Sequence, residues 1–111
     1  MDVFSALADP TRRDIVAMLA VKERNAGDIA NRFDMAAPSI SRHLKVLRES
    51  GLIAYRQEGT SRIYQLEAAR LGQAQQWMQV QIDLCRARFD RLGAHLDRME
   101  KMEKKNAKKR R

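Results

Sequence analysis

At 111 residues the chain has room for one domain and not for two of ordinary size, and its 44% hydrophobic and 5% aromatic content fits a globular protein with a modest core. The formal net charge is +8, but the segment from Arg98 to Arg111 holds eight Lys/Arg against two Glu, a net of +6, so residues 1–97 carry only +2. The surplus points to a polyanionic partner, nucleic acid or an anionic membrane surface. The longest apolar run, Ile15 to Val21, has seven residues, far below the roughly 20 a membrane span needs. Asp2 sits where a signal peptide carries basic residues, and the single cysteine, Cys85, allows no intrachain disulfide framework. These features predict a cytoplasmic protein without a membrane partner.

In chain order, Val3 to Ala8 reads as a short first helix. Asp9-Pro10 supplies an N-cap followed by a proline suited to the first helical position, and predicts a second helix from Pro10 to about Val21 with Ile15, Met18 and Leu19 inward. A polar connection, Lys22-Glu23-Arg24-Asn25, leads to a third helix from about Ala26 to Phe33, with Ile29, Ala30 and Phe33 on its buried side. After the turn Asp34-Met35-Ala36-Ala37, a fourth helix runs from Pro38 to a left-handed stop at Gly51 and buries Ile40, Leu44 and Leu47. The period then changes: Leu52 to Gln57 and Arg62 to Leu66 read as two strands joined by the turn Glu58-Gly59-Thr60-Ser61. Tyr55 and Tyr64 fit cross-strand packing.

From about Gly72 to Met102 one long helix without proline is predicted. Met78, Ile82, Cys85, Phe89, Leu92, Leu96 and Met99 are spaced 4, 3, 4, 3, 4, 3, a heptad stripe. A helix of about 30 residues is about 45 Å long, more than so small a globule covers, so part of the stripe must meet another chain. Lys104 to Arg111 reads as a basic, disordered tail. The fold class is mainly α with a small β-hairpin, in the element order of a winged helix-turn-helix. Residues 1–103 form the domain and 104–111 the tail.

The fourth helix carries the chemistry. Opposite its apolar ridge lie Ser39, Arg42, Lys45 and Glu49, with Ser41 and Arg48 flanking. Hydroxyls near a helix start with Arg and Lys behind them suit a DNA major groove. Ser bonds a phosphate or base edge, Arg pairs with guanine, and Lys neutralises a phosphate. The plain alternative is a solvated helix face. His43 lies beside Leu44 and fits packing or an internal hydrogen bond better than DNA contact.

Three stretches in order, "FSALADPTRRDIVAMLA", "NAGDIANRFDMAAPSISRHLKVLRESGLI" and "RQEGTSRIYQL", resemble the first helices, the helix-turn-helix and the wing of ArsR-type winged-helix regulators. "WMQVQIDLCRARFDRLGAHLDRM" is similar to the last helix of a branch without an evident metal site. The resemblance implies a dimeric DNA-binding repressor. Ser41 and Arg42 match DNA-contacting positions, with Ser39 and Lys45 nearby; Arg62 matches a basic wing residue, and Arg56 lies on the facing strand. The first and last helices would form the homodimer interface, through Val3, Phe4, Met78, Ile82, Cys85, Phe89, Leu92, Leu96 and Met99. Where many relatives have Ser-Gln before the recognition-helix proline, this chain has Ala36-Ala37, so a cap and a possible base contact are missing.

Metal-sensing relatives carry thiolates before the Gly-Asp pair, whereas Arg24-Asn25-Ala26-Gly27-Asp28 contains none. Asp83, His95 and Glu100 lack the spacing of the last-helix site, and His43 and His95 are the only histidines. The residues therefore name no metal, cofactor or inducer, and no constellation for catalysis. Two rival readings remain: a ligand- or thiol-responsive regulator using Cys85 or a pocket near Trp77, Met78 and Met99, and a protein-interaction module working through the long helix.

Overall fold

The computed structural model describes residues 2–109, with side chains through residue 104. The elements are α1 (Val3–Leu7), α2 (Pro10–Val21), β1 (Arg24–Asn25), α3 (Ala26–Asn31), α4 (Ala37–Glu49), β2 (Ile53–Glu58), β3 (Ser61–Leu66) and α5 (Ala68–Lys109). They divide into two compact units, Met1–Gln75 and Gln76–Arg111. Among the described residues no helix is long and apolar enough to cross a membrane.

Short polar side chains start three of the helices. The Asp2 carboxylate accepts from the Ser5 amide at 2.7 Å, Asp9 from the Arg12 amide at 3.0 Å, and Asn25 from the Asp28 amide at 2.8 Å. These amides would otherwise be orphan donors at the helix starts. Two arginines then close α1 from its other end. Arg12 Nε donates to the Ala6 carbonyl at 2.7 Å and its terminal nitrogen to Ser5 at 3.1 Å, while Arg13 donates to Leu7 at 2.8 Å and Ala8 at 3.1 Å. A helix of five residues, too short to hold by itself, thus has its terminal carbonyls met by cations.

The end of α4 explains the turn into the sheet. The Leu52 amide bonds the Leu47 carbonyl at 3.1 Å and the Gly51 amide bonds Arg48 at 3.0 Å, a Schellman closure. Gly51 has φ +81°, and a Cβ there would lie 2.7 Å from the Arg70 guanidinium. Leu47 and Leu52, which flank this closure, are both fully buried.

The sheet is antiparallel in the order β1-β3-β2. The expected hairpin thus gains a third, two-residue strand at Arg24 and Asn25, where the sequence reads as a polar connection. Gly59 has φ +60° and Thr60 is not positive, the pattern of a type II′ two-residue loop. Pairing runs from Ile53 opposite Leu66 to Glu58 opposite Ser61, which places Tyr55 opposite Tyr64 with ring centroids 5.6 Å apart.

One core joins these elements: Ala6 of α1, Ile15, Val16 and Leu19 of α2, Ile29 of α3, Ile40, Leu44 and Leu47 of α4, and Leu52, Ile53 and Tyr64 of the sheet region. Each fully buried large aliphatic side chain contributes roughly 1.5–3 kcal/mol. Val3 packs partly buried against this core within its own chain, while Phe4 is exposed. The third helix is shorter than expected, ending at Asn31, and Phe33 packs against the core from the turn after it. The last helix is longer, 42 residues from Ala68 to Lys109. The expectation of a disordered tail from 104 falls on side chains that, from 105 onward, lie outside the described residues, as do Arg110 and Arg111 altogether.

Candidate nucleic-acid interface

The helix-turn-helix is α3, the turn 32–36, and α4. Ile40, Leu44 and Leu47 bury one side of α4, and this ridge fixes which residues face outward. Ser41, Arg42 and Lys45 are exposed on that outward face; Ser39 is half-buried rather than open. The Ser39 hydroxyl accepts from the Arg42 guanidinium at 3.4 Å, and Lys45 lies 4.0 Å from Glu49 one turn on. Both contacts are long and solvated, so they contribute little and leave the cations open to a stronger anion. The face is therefore a short row of exposed hydrogen-bonding side chains around one guanidinium.

The start of α4 is bare. Ala36 stands at the N-cap with no side-chain hydrogen bond, and the Ser39 and Ile40 amides bond the Ala36 carbonyl at 3.0 and 3.3 Å. The missing cap legible at Ala36-Ala37 is thus a structural fact.

The wing treats its two arginines differently. Arg56 donates to Glu58 at 3.0 Å and Gln65 at 3.3 Å, and pairs with Glu23 at 2.7 Å. These carboxylates, Glu23 first, raise the Arg56 pKa, and the Arg56 hydrogen bond lowers that of Glu23. An arginine with two carboxylates at hand carries little net charge toward a phosphate. Arg62 lies with its guanidinium carbon 4.5 Å from the centre of the Tyr55 ring, and the Arg48 guanidinium is 5.2 Å from the same centre. The tyrosine thus links the last turn of α4 to the wing through two cation–π contacts. Glu23 is the participant that sequence reasoning passed over, since it reaches Arg56 from outside the hairpin; Arg48 was named only as flanking the outward face of α4, and its contact with Tyr55 was not foreseen.

His43 turns away from the outward face. Its Nδ1 lies 3.4 Å from an Arg12 terminal nitrogen and 3.8 Å from Asp9 Oδ2. The Arg12 amide hydrogen bond, with the nearby His43 and Arg12 charges, holds the Asp9 carboxyl below its usual range. Its polar neighbours are thus Arg12 and Asp9 rather than groups on the outward face.

The interface residues named on α5 are exposed: Met78, Ile82, Cys85, Phe89, Leu92, Leu96 and Met99 form an open apolar stripe. Among the described residues, no group of three or more His, Cys, Asp or Glu comes close enough together to hold a metal ion.

The sequence profile of the bacterial regulatory proteins of the arsR family matches residues 9–55. The chain is 39% identical over 77 residues to the transcriptional repressor SdpR of Bacillus subtilis, covering 69% of this chain and 86% of that protein. It is 43% identical over 60 residues to the arsenical resistance operon repressor of Escherichia coli, covering 53% of this chain and 51% of the relative. The solved structure of an ArsR family transcriptional regulator is similar with a TM-score of 0.69 at 34% identity, over 73% of this chain and 89% of that one. An ArsR-like transcriptional regulator from Rhodococcus sp. RHA1 gives 0.66 at 28% identity, over 76% and 80%. The matched profile ends inside β2, so it spans the capped α2, the bare-started α4 and the Gly51 closure described above. The chain belongs to the arsR family of bacterial regulatory proteins and is a winged helix-turn-helix DNA-binding transcriptional repressor.

Proposed function

We propose that the chain works in the cytoplasm as a homodimer, without catalytic activity of its own, that represses by covering an inverted-repeat operator. In this reading two copies of α4 enter successive major grooves, with half-site centres about 34 Å apart. Ser41, Arg42 and Lys45 meet base edges and phosphates, with Ser39 steadying the Arg42 guanidinium. Arg62 of the wing reaches the adjacent backbone, and Arg56 acts chiefly as a strut of the sheet. The exposed α5 stripe, with Phe4, supplies the contact between copies.

The observation that carries the reading is the outward face of α4: Ser41, Arg42 and Lys45 stand exposed over the buried Ile40, Leu44 and Leu47 ridge. Selection of bound sequences from a random duplex pool tests it. Recovery of an inverted repeat with one-turn spacing is expected. Recovery of single half-sites would remove the dimer, and no enrichment would remove sequence-specific operator binding. On the recovered site, Arg42→Ala is expected to weaken binding by about 1–3 kcal/mol.

A further inference from the structure

The Arg12 side chain has three partners on two helices. Its Nε donates to the Ala6 carbonyl at 2.7 Å and one terminal nitrogen to Ser5 at 3.1 Å, so the last turn of α1 holds one edge of the guanidinium. Its other terminal nitrogen lies 3.4 Å from His43 Nδ1 on α4. Asp9 secures the same corner from α2, accepting the Arg12 amide at 3.0 Å with its Oδ2 3.8 Å from His43 Nδ1. Arginine has donors only, so in this contact the imidazole Nδ1 can take part only as the acceptor. The α1 carbonyls orient the guanidinium, and its remaining terminal nitrogen faces the imidazole.

His43 is not one of the apolar residues that bury α4; Ile40, Leu44 and Leu47 do that. Those three fix which side of the helix faces inward, and the polar contact to His43 adds a directional restraint to theirs. A turn of about 10° moves an atom about 6 Å from the axis by about 1 Å, enough to part a contact that is already 3.4 Å long. Arg42, the next residue along, shares whatever rotation His43 is held to.

We propose that His43 is a positioning residue: through Arg12 it locks the rotation of α4 against the end of α1, and thereby sets the discrimination between operator and random DNA rather than overall DNA affinity. The proposal rests on α4 being the reading helix, as argued above. It also predicts that events on α1 are felt on α4 through a single guanidinium.

The test compares wild type, His43→Leu and His43→Asn on the duplex recovered by selection and on a random duplex of equal length, at several salt concentrations. Leucine keeps bulk without an acceptor; the asparagine oxygen sits where Nδ1 does. His43→Leu is expected to bind the selected duplex about tenfold more weakly with random-duplex affinity and the salt slope unchanged, and His43→Asn to recover most of the loss. Because His43→Leu alters packing as well, the folded fraction is measured by circular dichroism. If selected and random binding fall together in proportion to unfolding, or if discrimination is unchanged in a folded His43→Leu, the positioning role is overturned. If wild type itself shows no preference for the selected duplex, the reading of α4 fails first and the inference with it.

Discussion

The two compact units handle the same raw material in opposite ways. In residues 1–75, apolar residues at helical spacing close on one another, and Ile15, Ile29, Leu47 and Leu52 are fully buried. In residues 76–111 the spacing is at least as regular, yet Phe89 is 64% exposed and Leu92 and Leu96 are more than half exposed. The difference lies in the punctuation. Asp9-Pro10, Gly51 and Gly59 turn the first unit back on itself, whereas α5 runs from Ala68 to Lys109 without a proline. Among the described residues the stripe stays exposed. Periodicity thus predicts that a face will be covered, and the breakers decide whether the same chain can cover it.

Substitutions separate the two kinds of apolar face. Leu47→Ala, in the closed core, is expected to cost about 2–5 kcal/mol, read by urea denaturation at one fixed protein concentration. Leu92→Asp, in the open stripe, is expected to weaken self-association by at least about tenfold (1.4 kcal/mol), read by sedimentation equilibrium, and to leave the denaturation of residues 1–75 nearly unchanged. A Leu92→Asp variant that unfolded the first unit would break the comparison. Gly51→Ala is expected to destabilise by roughly 1–2 kcal/mol, because φ +81° disfavours a Cβ that would also press on Arg70. Ala36→Ser should gain roughly 0.5–1 kcal/mol by supplying the cap that α4 lacks, visible as a raised thermal midpoint.

The smallest effect concerns acid. The Ser5 amide lowers the Asp2 carboxyl and the Arg12 amide lowers Asp9. A carboxylate lowered in the folded state contributes stability above its unfolded pKa, near 4, and loses it as pH falls through the folded value. Asp9→Asn, which still caps, should flatten that acid limb in denaturation measured from pH 5 down to 2.

Much of the first unit was legible because its signals are local. Asp9-Pro10 set the start of α2, and the run to Val21 gave its end, both as found. Gly51 and Gly59 marked the two left-handed turns. What was not legible came from partners distant in sequence. Arg24 and Asn25 become a strand only because β3 offers them a free edge, and two residues cannot show alternation. Arg56 read as a candidate for phosphate because its sequence neighbours do not reveal that Glu23 lies across the sheet. Arg12 gave no sign of reaching His43, 31 residues later; the only hint was two cations just past a short helix. The outward face of α4 was legible because three aliphatic residues fix its inward face, although Ser39 proved half-buried.

The wing holds one more consequence. Its strands pair residue for residue from Ile53–Leu66 to Glu58–Ser61 around a two-residue loop. That arrangement obeys parity. One residue added between Ser61 and Arg62, with the turn and the pairing to β2 kept, would send Arg62 to the opposite side of the sheet and draw Tyr64 out of the core, while two added residues would restore the alternation beyond them. Across descendants of this chain, wing lengths should therefore drift by even steps, and an odd step should survive only where a bulge absorbs it.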